Sequence, residues 1–185
     1  YISIINSSAH NTLNLLDNLL NWATSQTGQI CYNPEKIILS NTIQEIIALN
    51  KLQAETKNIN LSYLFTNEIE VYADKNMLKT VLRNLISNAI KFTNIGGVIK
   101  VYTVLKNDHV EISISDNGIG MNEDKCTSLF EISSNKNSLG TANENGSGLG
   151  LVLCKEFVKK NGGEIWIESE EGKGSNFKFT LPINN

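Results

Sequence analysis

Residues 84–92 read Asn84-Leu85-Ile86-Ser87-Asn88-Ala89-Ile90-Lys91-Phe92, the end of a stretch in which Leu78, Val81, Leu82, Leu85, Ile86, Ala89 and Ile90 recur at intervals of three and four. That spacing predicts an amphipathic helix over 75–92. Asp74 is the expected N-cap, because a short carboxylate ahead of the first turn satisfies amides that have no intrahelical partner. Asn84, Asn88 and Lys91 stand at i, i+4 and i+7, so two carboxamides and an ammonium share one stripe beside the buried face. A carboxamide oxygen is a neutral hard ligand, suited to a magnesium ion whose charge is already balanced by phosphates. A lysine there supplies a point charge to a phosphate oxygen. Taken alone, the same stripe also suits a solvated helix face.

The stretch after this helix narrows the choice. Residues 98–105 and 109–115 are β-branched runs, the second alternating apolar and polar, with Lys106-Asn107-Asp108 as a hairpin turn between them. The second strand delivers Asp116 to the loop Asp116-Asn117-Gly118-Ile119-Gly120. A carboxylate at a strand end can accept a hydrogen bond from an exocyclic amine, and glycine lets backbone approach a flat ring with no Cβ in the way. Adenine fits that description.

A third motif, Gly146-Ser147-Gly148-Leu149-Gly150-Leu151, opens a second amphipathic helix expected over 148–161. Amides and dipole at a glycine-rich helix start form a phosphate site. The motif is neither a P-loop nor a dinucleotide fingerprint, since no Gly-Lys-Ser/Thr follows and no strand runs directly into it. Residues 131–147 are rich in Ser, Asn and Gly, too polar to pack a core, and read as a lid over the phosphates.

In this order and spacing the motifs resemble the N, G1 and G2 boxes of sensor histidine kinases, the two-component branch of the GHKL (Bergerat-fold) ATPases. Leu129-Phe130-Glu131 resembles the F box and Gly172 to Pro182 the closing G3 strand, so the resemblance covers roughly residues 34–183. It implies an α+β two-layer sandwich that binds ATP with Mg²⁺. Asn88 would then coordinate the metal, Asn84 would support it directly or through water, Lys91 would contact phosphate, and Phe92 would sit beside the nucleotide. Asp116 would bind the adenine amino group, with Gly118 and Gly120 shaping the pocket. Gly146, Ser147, Gly148, Leu149 and Gly150 would hinge the lid and present amides to the phosphates. Ser175 stands where many relatives have Thr near the adenine, and Lys136 in the lid is a candidate for the γ-phosphate.

One position separates branches of that superfamily. Hydrolysing relatives resembling gyrase and Hsp90 carry a Glu one helical turn before the metal asparagine, as general base for water. This chain has Asn84 there, and an amide takes no proton, which favours phosphoryl transfer to a protein acceptor. The family's acceptor is a histidine within His-Glu/Asp-x-Arg/Lys-Thr/Ser-Pro. Neither His10, followed by Asn11-Thr12-Leu13-Asn14, nor His109, at the start of a strand, has those neighbours.

Ahead of the domain, Ile2, Ile5, Ala9, Leu13, Leu16, Leu20 and Ala23 form a bundle-type seam on an expected helix over 1–26. It resembles the second helix of the family's dimerisation and phosphotransfer hairpin, with the first, acceptor-bearing helix absent. Two domains are therefore expected, 1–28 as a partial hairpin and 29–185 as the ATP-binding unit. By the same resemblance the partners are the chain's own acceptor helix, a response-regulator receiver domain and a second copy in a homodimer.

The formal net charge of −3, with no basic tract, argues against nucleic acid and anionic membrane as direct partners. Cys31, Cys126 and Cys154 show no metal or disulfide spacing, which fits a reducing cytoplasm, with the parent protein free to be anchored in the inner membrane upstream. The remaining elements are expected as strand 35–39, helix 42–57, and strands 59–65, 69–72, 163–169 and 175–181. Two other readings stay open: a degenerate nucleotide sensor without phosphotransfer, and a structural dimerisation module, the latter having no use for a metal amide or a hinged lid.

Overall fold

A computed structural model describes residues 31–64, 68–131, 140–142 and 149–183. The expected helix 1–26 with His10, and the site candidates Lys136, Gly146, Ser147 and Gly148, lie outside the described residues. In chain order the elements are β1 (Pro34–Ile38), α1 (Leu39–Thr56), β2 (Asn60–Leu64), β3 (Glu70–Asp74), α2 (Lys75–Phe92), β4 (Val98–Leu105), β5 (His109–Asp116), α3 (Glu123–Ser128), α4 (Gly150–Lys160), β6 (Ile165–Glu170) and β7 (Gly174–Pro182).

Five strands form one sheet in the order β2-β4-β5-β7-β6, with β2 parallel to β4 and the other neighbours antiparallel. Alternate residues of its inner face (Ile99, Val101, Ile112, Ile114, Phe177, Phe179) are buried against α1, α2 and α4. From α2 the core takes Leu78, Val81, Leu82, Leu85, Ile86, Ala89 and Ile90, the set picked out by the three-and-four spacing. The result is the expected α+β two-layer sandwich. β3 stays out of this sheet and pairs with β1 in a separate antiparallel ribbon.

The largest difference from expectation is the start of α1. The helix begins at Leu39, not at residue 42, and has no side-chain cap. The Leu39 amide instead donates to the Ile69 carbonyl at 2.9 Å. Burial of Leu39, Ser40, Thr42 and Ile43 draws this first turn into the core, so a tertiary partner does the work of a cap. α3 was not expected at all; it is a short turn of helix with Asn122 as N-cap, its Oδ1 accepting from the Lys125 amide at 3.0 Å.

The start of α2 is as expected and more heavily built. Asp74 Oδ1 accepts from the amides of Asn76 and Met77, both at 3.0 Å, and its Oδ2 accepts from Asn33 N at 3.0 Å. The Asp74 amide donates to Asn161 Oδ1 at 2.7 Å, which ties the end of α4 to the start of α2. The start of this helix is thus fixed by the protein's own hydrogen bonds.

Candidate active site

Asp116 ends β5 and faces inward, only 8% exposed. Its Oδ1 accepts from Gly118 N at 2.9 Å and from Ser175 N at 3.3 Å. The ladder places Ser175 directly opposite Asp116 on β7, so the two residues that the resemblance assigns to adenine are neighbours. Oδ2 accepts no hydrogen bond from a described residue. Burial pushes the carboxyl above its ordinary pKa, against the lowering effect of the Gly118 and Ser175 amides.

The glycines of this loop serve the protein's own packing. A Cβ on Gly118 would collide with the Phe92 carbonyl and crowd Asp116 Oδ1, and Gly120, at φ +62°, would collide with the Glu170 carbonyl. At both positions an added side chain would meet the chain's own backbone. Reciprocal bonds seal the fit: Ile119 N donates to Phe92 O at 3.1 Å, and Gly172 N to Ile119 O at 2.7 Å. The loop is therefore clamped between the end of α2 and the β6–β7 hairpin, which holds Asp116 still.

Asn84 and Asn88 lie one turn apart on α2, both half-buried. Gly150, the first residue of α4, packs on Asn84: a Cβ there would be 3.0 Å from Asn84 Oδ1. Asn84 Nδ2 is buried with no hydrogen-bond partner among the described residues. It lies close enough to the Cys154 thiol to favour the thiolate, without the geometry of a hydrogen bond, yet burial still pushes that thiol up to about 12. Cys154 is therefore a packing residue and no nucleophile at neutral pH. The Asn88 side chain makes no hydrogen bond to a described residue, and among the described residues the start of α4 at Leu149-Gly150 has no side-chain cap. Lys91 Nζ lies 4.7 Å from the centroid of the Phe92 ring.

These groups suit a magnesium ion held between protein and phosphates. No group of three His, Cys, Asp or Glu among the described residues could hold a metal by itself. The available donors are two neutral carboxamide oxygens, and magnesium is commonly held by one or two protein ligands with phosphate oxygens completing its shell.

Two residues at this end of α2 were missed in the sequence. Lys57 is 7% exposed, and its ammonium donates to Ile90 O at 2.8 Å, Lys91 O at 3.2 Å and Thr141 Oγ1 at 2.6 Å. It places a positive charge on the carbonyl end of the site helix. Thr141 adds its amide to Lys91 O at 3.0 Å, and its hydroxyl reaches Thr93 O at 2.9 Å. A described piece of the polar stretch expected as a lid is thus pinned under Lys91. Thr141→Val should lower stability by about 1 kcal/mol in urea unfolding, because it removes the hydroxyl that accepts a hydrogen bond from the Lys57 ammonium, whereas Thr141→Ser should behave as wild type.

His109 sits at the opposite end of β5 from Asp116, about 24 Å away at ~3.4 Å per strand residue. Its Nδ1 is 2.6 Å from Asp108 Oδ1 in the hairpin turn.

This clamped Asp-Gly loop beside a carboxamide helix defines an ATPase of the GHKL type, and residues 73–185 match the family of histidine kinase-, DNA gyrase B- and HSP90-like ATPases, to which the chain belongs. Within that family the similarity runs to histidine kinases. The chain is 38% identical over 156 residues to the adaptive-response sensory kinase SasA of Prochlorococcus marinus (strain AS9601), covering 82% of this chain and 41% of that protein. It superposes on the catalytic domain of histidine kinase ThkA with TM-score 0.72 and 30% identity, covering 81% of this chain and 95% of that one. A structure of ThkA in complex with the response regulator protein TrrA shares the fold at TM-score 0.77 and 24% identity, covering 100% of this chain and 51% of that one. The chain spans between 16% and 44% of the length of the curated relatives it matches. Among the described residues no helix is long and apolar enough to cross a membrane.

Proposed function

We propose that the chain binds Mg²⁺-ATP and hands the γ-phosphoryl group to a histidine on a dimerisation helix, for relay to a response-regulator aspartate. The observation that carries this is the composition of α2: from Lys75 to Phe92 it contains no Asp or Glu, and Asn84 occupies the turn before Asn88. A water molecule bound beside this helix finds no general base on it. An incoming imidazole needs none of that help, being itself a nucleophile at neutral pH.

The residues act by holding and orienting. Asp116 Oδ2 takes an N–H of the adenine amine while Oδ1 stays occupied by backbone amides. Asn88, with Asn84 in support, would hold Mg²⁺, which supplies charge neutralisation at the phosphates when bound. The amides at the start of α4 and the Lys91 ammonium would face the same negative charge, so the transferring group is fixed for in-line attack. Lys136, Gly146, Ser147 and Gly148 complete the phosphate side on the family pattern. Residues 1–28 serve as the hairpin's second helix and as the contact for a homodimer, in a cytoplasmic protein.

Incubation with radiolabelled ATP and Mg²⁺ tests the reading. Alone, the chain should stay unlabelled, since neither His10 nor His109 has the acceptor's neighbours; supplied with a complete hairpin carrying the acceptor histidine, it should place acid-labile, base-stable phosphate on that hairpin. ATP binding without any such transfer would replace this reading by that of a degenerate nucleotide sensor.

A further inference from the structure

Behind the Asp116 pocket stands a hydroxyl relay that neither the motifs nor the family comparison assigns. Ser169 Oγ, on β6, lies 2.9 Å from Met121 N, 2.9 Å from Gly174 O and 3.0 Å from Ser175 Oγ. A serine hydroxyl has one proton to give and two lone pairs to fill. Met121 N–H can only donate, and the Gly174 carbonyl can only accept. Ser169 must therefore spend its proton on Gly174 O, take Met121 N–H on one lone pair, and take the Ser175 proton on the other. Only this arrangement serves all three contacts.

We infer that Ser169 is a positioning residue for base specificity: it draws the Ser175 proton away from the pocket, so that Ser175 offers a bound base lone pairs alone. This rests on the adenine reading of the pocket. Beside Asp116, whose Oδ2 is likewise an acceptor, the floor then presents acceptors only. It welcomes a 6-amino purine and rejects a 6-oxo purine, whose C6 oxygen would face two acceptors. Asp116 alone would leave Ser175 free to turn and donate to that oxygen.

The test is calorimetric binding of ATP and of inosine triphosphate, which carries the 6-oxo group without the 2-amino group of GTP. Ser169→Ala should cut the ATP-over-ITP preference about tenfold, the size of one hydrogen bond. In a Ser175→Ala background the same change should move the preference less than about twofold, because the hydroxyl it controls is gone. Ser169→Thr, which keeps the hydroxyl, should retain the wild-type preference.

Thermal melting records separately the loss of the Met121 and Gly174 partners, an effect that a purely structural Ser169 would also show. If Ser169→Ala does not fold, Ser175→Ala decides, since it must itself cut the preference about tenfold. A preference that survives Ser169→Ala in folded protein, or falls equally in both backgrounds, overturns the relay while leaving the adenine pocket standing. Equal binding of ATP and ITP by the wild type overturns the adenine reading, and the relay with it.

Discussion

Replacing Asn88 by alanine is expected to abolish Mg²⁺-supported phosphoryl transfer and to leave the fold as stable as before, or slightly more so. The Asn88 side chain is half-buried and makes no hydrogen bond to a described residue, so its removal strands no partner among them. Within a helix, alanine is the better residue by roughly 0.5 kcal/mol. An inactive variant that melts at or above the wild-type temperature therefore separates function from folding. Nucleotide binding should persist in part, because Asp116 is untouched. Transfer at the wild-type rate would remove Asn88 from the site. Asn84→Ala cannot give so clean an answer, since Asn84 packs on Gly150 and lies beside the Cys154 thiol.

What could be read in the sequence followed from local pattern. The apolar spacing of α2, its Asp74 cap, the β4–β5 hairpin and the delivery of Asp116 by β5 all involve residues close in the chain, where periodicity and turn chemistry act directly. Lys57 and Thr141 escaped because they meet 84 residues apart, and a lysine after a helix looks like any solvated charge until its three acceptors are known. The early start of α1 escaped for the same reason, its first amide being answered by Ile69 across the fold. Gly118 and Gly120 stand out in the sequence as glycines that could shape an adenine pocket, while their contacts with the backbone at Phe92 and Glu170 are ones that only the folded chain brings about. Ser169 carried no signal, because the meaning of its hydroxyl depends on a hairpin register that sets it against Ser175.

Asp116→Asn should weaken ATP binding and, at neutral pH, should not weaken the fold. An asparagine keeps Oδ1 for the amides of Gly118 and Ser175, which now donate to Asp116 at 2.9 and 3.3 Å. It puts an NH₂ where Oδ2 was, so a donor meets the donating adenine amine. The loss should be about 1.5–3 kcal/mol, the range for a hydrogen bond to a charged group, or about 10- to 150-fold in affinity. Stability moves the other way for a reason visible in the site. Burial raises the Asp116 pKa, so the folded state holds the proton more tightly than the unfolded chain. The group therefore favours folding most below its unfolded pKa, and that contribution is lost as pH rises through the raised folded value. At pH 7 the buried carboxylate is a net cost, and the neutral amide removes it. The variant should melt at or above the wild-type temperature at pH 7, with the difference shrinking as the solution is acidified into the ordinary carboxylate range. Calorimetric titration with ATP and GTP and a melting series in pH check both halves. Unchanged ATP affinity, or a wild type that binds GTP as tightly as ATP, would end the adenine assignment. A variant that melts well below the wild type at pH 7 would show that the carboxylate stabilises the fold, and that the Gly118 and Ser175 amides outweigh its burial.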